Sequence, residues 1–428
     1  MRPNSQHSVP CSPAVDFDRR TNNNQSHHAN MLENRQDVVL ICSWGFRKVL
    51  KILILVVLLL ILYGASFRID SIVENSFSLP EIDETVTENH EIVTVTQIKI
   101  AVVACQGSRK DTIIETLTMM KSVIIFAKAN TRIHFFIFTD DESGFNRFLR
   151  AWPETFKTRF TLSFHEVNYP LSESELIAYK NWWAPCASFR LFLPEVLTEE
   201  DAVIYVDTDT IFLSDVRDLW ELFDNFDEKQ VAGLAPRKQS GYNVPVSNPN
   251  FIDIPGSHTK TQVNSGIFLM NLTRMRMPVF NTDYTISAEN LTWNKTLLFP
   301  LFEKFKKDMA GDQNLINVVF HYNPKLVYFM DCKFNYHHKF CIDRNPSSWC
   351  RNAETEGARI IHGSARAFYN NYAPAFKAVF NAFQVGANYN DTGELLKVVR
   401  SNLLEDDVDK HPHCGNKVHV FTNSMVNL

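Results

Sequence analysis

In the stretch AVIYVDTDTIFLSDV, residues 202 to 216, an apolar run ends abruptly in Asp207, Thr208 and Asp209. Two carboxylates one residue apart repel each other unless a cation lies between them, and an all-oxygen pair of this kind favours Mg²⁺ or Mn²⁺. The ordinary alternative is that the aspartates cap a turn or the next helix. A second alternative is the D-x-D-x-T/V start of aspartyl-nucleophile phosphatases. Ile211 follows Thr210 here, and the later acidic pair, Asp406 and Asp407, lies in polar sequence rather than at a strand end.

Three further groups could join that chemistry. Asn264, Ser265 and Gly266 open the run VNSGIFLMNLTRMR, Asp312 and Gln313 open GDQNLINVVF, and His362 and Gly363 follow the apolar pair Ile360 and Ile361. Each has a plain structural reading: Asn and Gly suit a strand-entry turn, Asp a helix cap, and His a strand end. Trp182 and Trp183 could stack on a sugar or pack in a core.

The elements that must position these residues are legible upstream. IAVVA at 100–104 is short and continuously apolar, as a buried parallel strand is, and Asp111–Ala127 repeats apolar positions at helical spacing. IHFFIF at 133–138 predicts a strand, Glu142–Trp152 a helix, and FTLSFHEV at 160–167 a third strand. Alternating strand and helix predict an α/β fold, a mainly parallel sheet with helices on both faces, whose ligands gather at the carboxyl ends of the strands. The chain carries neither G-x-G-x-x-G after its first strand nor G-x-x-x-x-G-K-S/T, which argues against dinucleotide-binding and P-loop enzymes. The net charge of −5 is spread, which excludes a nucleic-acid-binding face.

Residues 1–36 are too polar to bury a core, so a disordered tail is expected. Arg47, Lys48 and Lys51 precede an uncharged run, Ile52–Phe67, close to the roughly 20 residues that span a bilayer. The charge bias puts residues 1–51 in the cytosol, 52–67 in the membrane as a signal-anchor and the remainder in the lumen, with 68–96 as a stem and 97–428 as the catalytic domain. N-x-S/T acceptors Asn271, Asn290, Asn294 and Asn390 all follow the span, and only Asn24 precedes it. Six of the eight cysteines would be lumenal. Evenly spaced Cys332, Cys341 and Cys350 allow a zinc reading, but without a C-x-x-C pair at least one disulfide is expected among them.

Taken in order, Asp207-Thr208-Asp209, Asn264-Ser265-Gly266, Asp312-Gln313 and His362-Gly363 resemble the retaining GT-A enzymes of glycosyltransferase family 8, over roughly residues 98 to 421. With SFRLFLPEVL, the three-cysteine stretch, HGSAR and HCGNKVHVF, the resemblance is to members that add xylose to glucosides. It implies Mn²⁺, or Mg²⁺, on Asp207, Asp209 and His362. It also implies a UDP-sugar donor cradled near Ala101, Val102 and Val103 and bound by Thr208, Asn264, Ser265, Gly266 and Gly363. Arg190, Asp312 and Gln313 are implied as catalytic residues, Gln313 closest to the anomeric carbon. Phe368 and Tyr369 stand where many members have a lysine and a Pro-Trp pair, so Arg366 is expected to meet the diphosphate instead. The implied reaction moves xylose from UDP-xylose, in α linkage, to O-linked glucose on EGF-like repeats such as those of Notch, in the endoplasmic reticulum or Golgi. Xylose as acceptor, or an inactive lectin-like binder, are the competing expectations.

Overall fold

The first four strands set the frame: β1 (Thr96–Val103), β2 (Thr131–Phe138), β3 (Phe160–His165) and β4 (Ala202–Val206). They lie side by side in the order β3-β2-β1-β4, all parallel. This computed structural model describes residues 95–105, 111–180, 186–237, 249–254, 260–282, 290–342, 350–385 and 391–426. The expected tail and membrane span, most of the stem, Trp182, Trp183, Asn24 and Asn390 lie outside those residues.

The chain continues with β5 (Thr210–Phe212), β6 (Ala232–Pro236), β7 (Ile252–Asp253), β8 (Lys260–Thr261), β9 (Val263–Asn271), β10 (Val327–Phe329), β11 (Tyr336–His337) and β12 (Ile360–His362). The main sheet runs β10-β6-β9-β4-β1-β2-β3. In it β9 is antiparallel to both β4 and β6, so the sheet is mainly, not wholly, parallel. A small sheet, β11-β12-β5, stands beside the end of β4, and β7 pairs with β8.

Strands buried on both faces read as unbroken apolar runs because successive side chains enter opposite cores. In β1, Ile98, Ile100 and Val102 join one core while Ala101 and Val103 join the other. β4 divides the same way, with Ile204 and Val206 on one face and Val203 and Tyr205 on the opposite one. The first core is covered by the Thr112–Phe126 helix, itself almost wholly buried beneath the Pro374–Val385 helix, where Phe126 meets Phe383 edge-on at 6.1 Å. The second is covered by the Lys295–Phe305 and Asp312–Tyr322 helices. Each fully buried large aliphatic side chain stabilises this arrangement by about 1.5–3 kcal/mol.

Boundaries moved slightly from expectation: the helix begun at Glu142 stops at Leu149, and β3 stops at His165. The turn expected at Asn264–Gly266 is instead strand, the first part of β9. Its polar residues sit inside a strand because that end faces the site, and the Asn264 side chain accepts the Gly266 N–H at 2.9 Å. The six described cysteines pair as Cys105–Cys186, Cys332–Cys350 and Cys341–Cys414, which fulfils the expected disulfide and leaves no thiolate for zinc.

Candidate active site

Leaving β4, the chain passes through Asp207, Thr208 and Asp209 and enters β5 of the small sheet, so the two aspartates occupy the junction between sheets. Antiparallel pairing of β5 with β12 sets Thr210 opposite His362, and the Gly363 N–H donates to the Asp209 carbonyl at 2.7 Å. His362 Nε2 thereby comes within 3.3 Å of Asp209 Oδ1 and 3.6 Å of Asp207 Oδ2. One ligand atom from each of the three lies within 4.8 Å of the others, a spacing and an O, O, N donor set that suit Mn²⁺ or Mg²⁺.

The tautomer of His362 is set by Asn335. The Asn335 amide NH₂ donates to the Asn264 carbonyl and side chain at 3.2 and 3.1 Å, so its oxygen is the end that accepts from His362 Nδ1 at 2.9 Å. With Nδ1 carrying the proton, the lone pair of Nε2 faces the carboxylates, as a metal ligand's must. Asn335, His362 and Asn264 are all buried. Burial works against the charged imidazole, but Asp209 and then Asp207 outweigh it and hold the His362 pKa above its ordinary value. Gly266 lies under the ring: a Cβ there would sit 2.1 Å from His362 Cε1, so no other residue fits without displacing the ligand.

Arg190 organises the other side. Its Nε donates to Asp312 Oδ2 at 2.6 Å, and Nη1 donates to Asp207 Oδ1 at 2.9 Å and to the Ser265 carbonyl at 3.0 Å. Tyr205, under the guanidinium, donates its hydroxyl to the same Asp207 oxygen at 2.7 Å. Burial disfavours the charged guanidinium, but Asp312 and Asp207 raise its pKa well above the usual arginine value, so it stays charged. The Asp312 carboxylate therefore serves Arg190 rather than a helix cap, a position that falls to Gly311. Gln313 accepts from the Ser265 N–H at 3.3 Å. Among these groups the carboxylates of Asp207, Asp209 and Asp312 outnumber the single guanidinium of Arg190.

These groups face a cavity of about 870 Å³. Val103, Arg190, Asp207, Thr208, Asp209, Asn264, Gln313 and His362 line it, whereas Asp312, Ser265, Gly266 and Gly363 stand behind the wall. Ala101 and Val102 are wholly buried and do not reach it. Arg366 is half-exposed, paired with Asp111 at 3.4 Å, and does not line the cavity although Ser364 and Ala365 do. Of the acceptor asparagines, Asn290 is exposed, while Asn271 and Asn294 accept helix N–H groups as N-caps.

Sequence reasoning missed several participants. Tyr205 lies two residues before Asp207 and so on the same strand face, a signal that was present. Glu115 is an acid inside an apolar helical pattern; it is buried and accepts from the Thr208 hydroxyl at 2.8 Å, bracing the aspartate turn. Asn335, His337 and His338 gave no signal of their own.

Residues 85–365 match the sequence profile of Glycosyl transferase family 8. Glucoside xylosyltransferase 1 of Mus musculus is 36% identical over 338 residues, covering 77% of this chain and 77% of that protein. The Danio rerio protein of the same name is 35% identical over 329 residues, covering 76% of each. Glucoside xylosyltransferase 2 of Mus musculus is 35% identical over 301 residues, covering 69% of this chain and 63% of that protein.

Proposed function

The chain belongs to glycosyltransferase family 8, and from that premise we propose that it transfers xylose from UDP-xylose, in α linkage, to glucose O-linked to EGF-like repeats. One observation carries the reading: Asp207, Asp209 and His362 converge at the cavity wall, where carboxylate charge exceeds that of the nearby guanidinium. A divalent cation, Mn²⁺ in our proposal, would be held by those three side chains and would stabilise the charge developing on the departing UDP.

The chain's own residues do the rest. Arg190 fixes Asp207 and Asp312 at once, so the carboxylate that faces the cation cannot swing away. Val103, Cys105 and Asp140, at the carboxyl ends of β1 and β2, offer the wall for the nucleotide. Gln313 stands in the lining beside Asn264 and presents an amide, a poor nucleophile, to the sugar. Asp312 stands behind the wall in an ion pair with Arg190 and is 2% exposed, so no carboxylate at that place is available for covalent attack. This favours transfer on one face of the sugar through an oxocarbenium-like state, with the leaving phosphate taking the acceptor's proton.

The anchored, lumenal placement is part of the proposal. The basic cluster before Ile52–Phe67 and the acceptor asparagines after it support that orientation, and three disulfides fit an oxidising compartment. The deciding assay incubates the full chain with Mn²⁺ and an EGF repeat bearing O-glucose, and compares UDP-xylose, UDP-glucose and UDP-galactose by product mass. A pentose increment that vanishes with EDTA is expected. A larger yield on an acceptor already carrying xylose would replace the glucoside by the xyloside as substrate.

A further inference from the structure

The cavity follows the carboxyl edge of the main sheet, and its charges are sorted along that edge. In the order β2-β1-β4-β9-β6, its lining includes Asp140, then Val103 and Cys105, then Asp207 and Asp209, then Asn264, then Arg237. The three lining carboxylates, Asp140, Asp207 and Asp209, all belong to the end formed by β2 and β4. Arg190 is taken up by Asp207 and Asp312. The other two lining cations, Arg237 and Lys339, come from the opposite end: Arg237 follows β6, and Lys339 follows β11, which lies on the side of β12 away from β5.

Arg237 is held by its backbone alone. Its N–H donates to the Gln262 carbonyl at 2.6 Å, and its carbonyl accepts from the Thr261 hydroxyl at 2.9 Å. The residue is partly exposed at the cavity wall, and its guanidinium has no hydrogen bond or ion pair with any described residue. The fold therefore fixes where this side chain starts and leaves its N–H donors to whatever enters the cavity.

Strand order says what enters there. The nucleotide wall proposed above lies at β1 and β2, the cation at β4, and the donor sugar before Asn264 and Gln313. Strands about 4.8 Å apart put the backbone of Arg237 two intervals, about 10 Å, beyond that of Asp207. A diphosphate on the cation ends short of that place, and the acceptor arrives past it. Glucose is neutral and gives two cations nothing to neutralise. A carboxylate does, and its two oxygens match the planar fork of a guanidinium.

We propose that Arg237, with Lys339 at the same end of the cavity, binds an acidic side chain of the acceptor polypeptide beside the glucosylated residue and so selects among acceptor proteins. The inference rests on the sugar-transferase reading above and adds to it the charge of the acceptor.

The test compares the full-length wild type with Arg237→Gln, Arg237→Glu and Arg237→Lys on two acceptors. One is an EGF repeat bearing O-glucose with acidic residues beside the glycan, and the other an aryl glucoside, which offers the sugar without polypeptide. In the Gln variant, KM for the EGF repeat rises roughly tenfold, and in the Glu variant it rises further. KM for UDP-xylose and for the aryl glucoside stay at their wild-type values, and the Lys variant returns to within about threefold of wild type. Added NaCl raises the wild-type KM for the EGF repeat and leaves that of the Gln variant unchanged. Replacing the acidic residues of the EGF repeat by their amides costs the wild type the same tenfold or so and the Gln variant nothing, as expected for two partners of one contact. An unchanged KM for the EGF repeat in the Gln and Glu variants would overturn the proposal. It fails equally if KM for the aryl glucoside rises in step, since the guanidinium would then read the sugar, or if KM for UDP-xylose does, since it would then serve the diphosphate. A wild type that binds UDP but transfers no xylose to either acceptor would overturn the function itself and this inference with it.

Discussion

Two clusters share Asp207 and differ in how far the protein satisfies them. On one side, Arg190 reaches Asp312 and Asp207 with Tyr205 hydrogen-bonded to the same oxygen, so each of these groups finds a partner within the fold. On the opposite side, Asp207 Oδ2, Asp209 Oδ1 and His362 Nε2 converge with negative charge in excess. The first cluster is finished by folding. The second is left electrostatically open, so its stability improves when a cation or a proton enters. A carboxylate held from one side by a guanidinium and open on the other is preorganised: the cost of fixing its position is met in folding, before the ligand arrives.

The largest effect that could break this contrast is on turnover. Asp209→Ala removes a ligand from the open cluster, so transfer should fall by a factor on the order of 10³, measured as xylosylated product. The fold should survive without cation, because a repulsion has been removed. Activity within tenfold of wild type would take the metal out of the assignment.

Arg190→Ala attacks the finished cluster instead and should show in stability. Asp312 is left almost fully buried without a counter-charge, at a cost of about 3–5 kcal/mol, less whatever solvent returns at the partly exposed Asp207. Chemical denaturation of the metal-free protein reads this, and an unchanged midpoint would show that the network contributes nothing.

A smaller effect tests what aims the open cluster. Asn335→Leu leaves all three proposed ligands in place but frees the His362 tautomer, so Mn²⁺ affinity by calorimetry should weaken roughly 10–100-fold. Affinity equal to wild type would confine Asn335 to packing.

The smallest sharpens the proton's role. Because the folded pKa of His362 is raised, its ion pairs stabilise the metal-free protein fully below the ordinary imidazole value of 6.5, and that contribution is lost as pH rises through the elevated folded value. Denaturation midpoints in EDTA should therefore drift downward across that window, and His362→Gln should flatten the drift. Mn²⁺ binding runs the opposite way, tightening as the proton leaves. A wild type with no drift would mean that the carboxylates do not hold that proton.

Much of the frame was legible because its physics is local. Short, continuously apolar runs announced β1, β2 and β4, and a strand that must end at a sheet edge put Asp207 and Asp209 in the site. The antiparallel β9 and the separate small sheet were not legible, because the sign of a strand pairing leaves no mark in composition. Nor was the role of Asp312 visible in its own segment. An aspartate there suits a helix cap, and only the arrival of Arg190 from a distant segment makes it a counter-ion.

The sequence by itself determined the chemistry available to this protein: a carboxylate pair at a strand end, a histidine after a buried strand, and the ordered motifs of a sugar transferase. Tertiary structure alone decided which of those groups meet. The pairing of β5 with β12 brings His362 to Asp209, Asn335 turns the imidazole's lone pair inward, and β11 sets His337 beside it. Residue type and spacing constrain what a side chain can do and which way it leaves its own strand. Charge balance, tautomer and unmet hydrogen bonds are properties of neighbours, and neighbours distant in sequence exist only once the chain has folded.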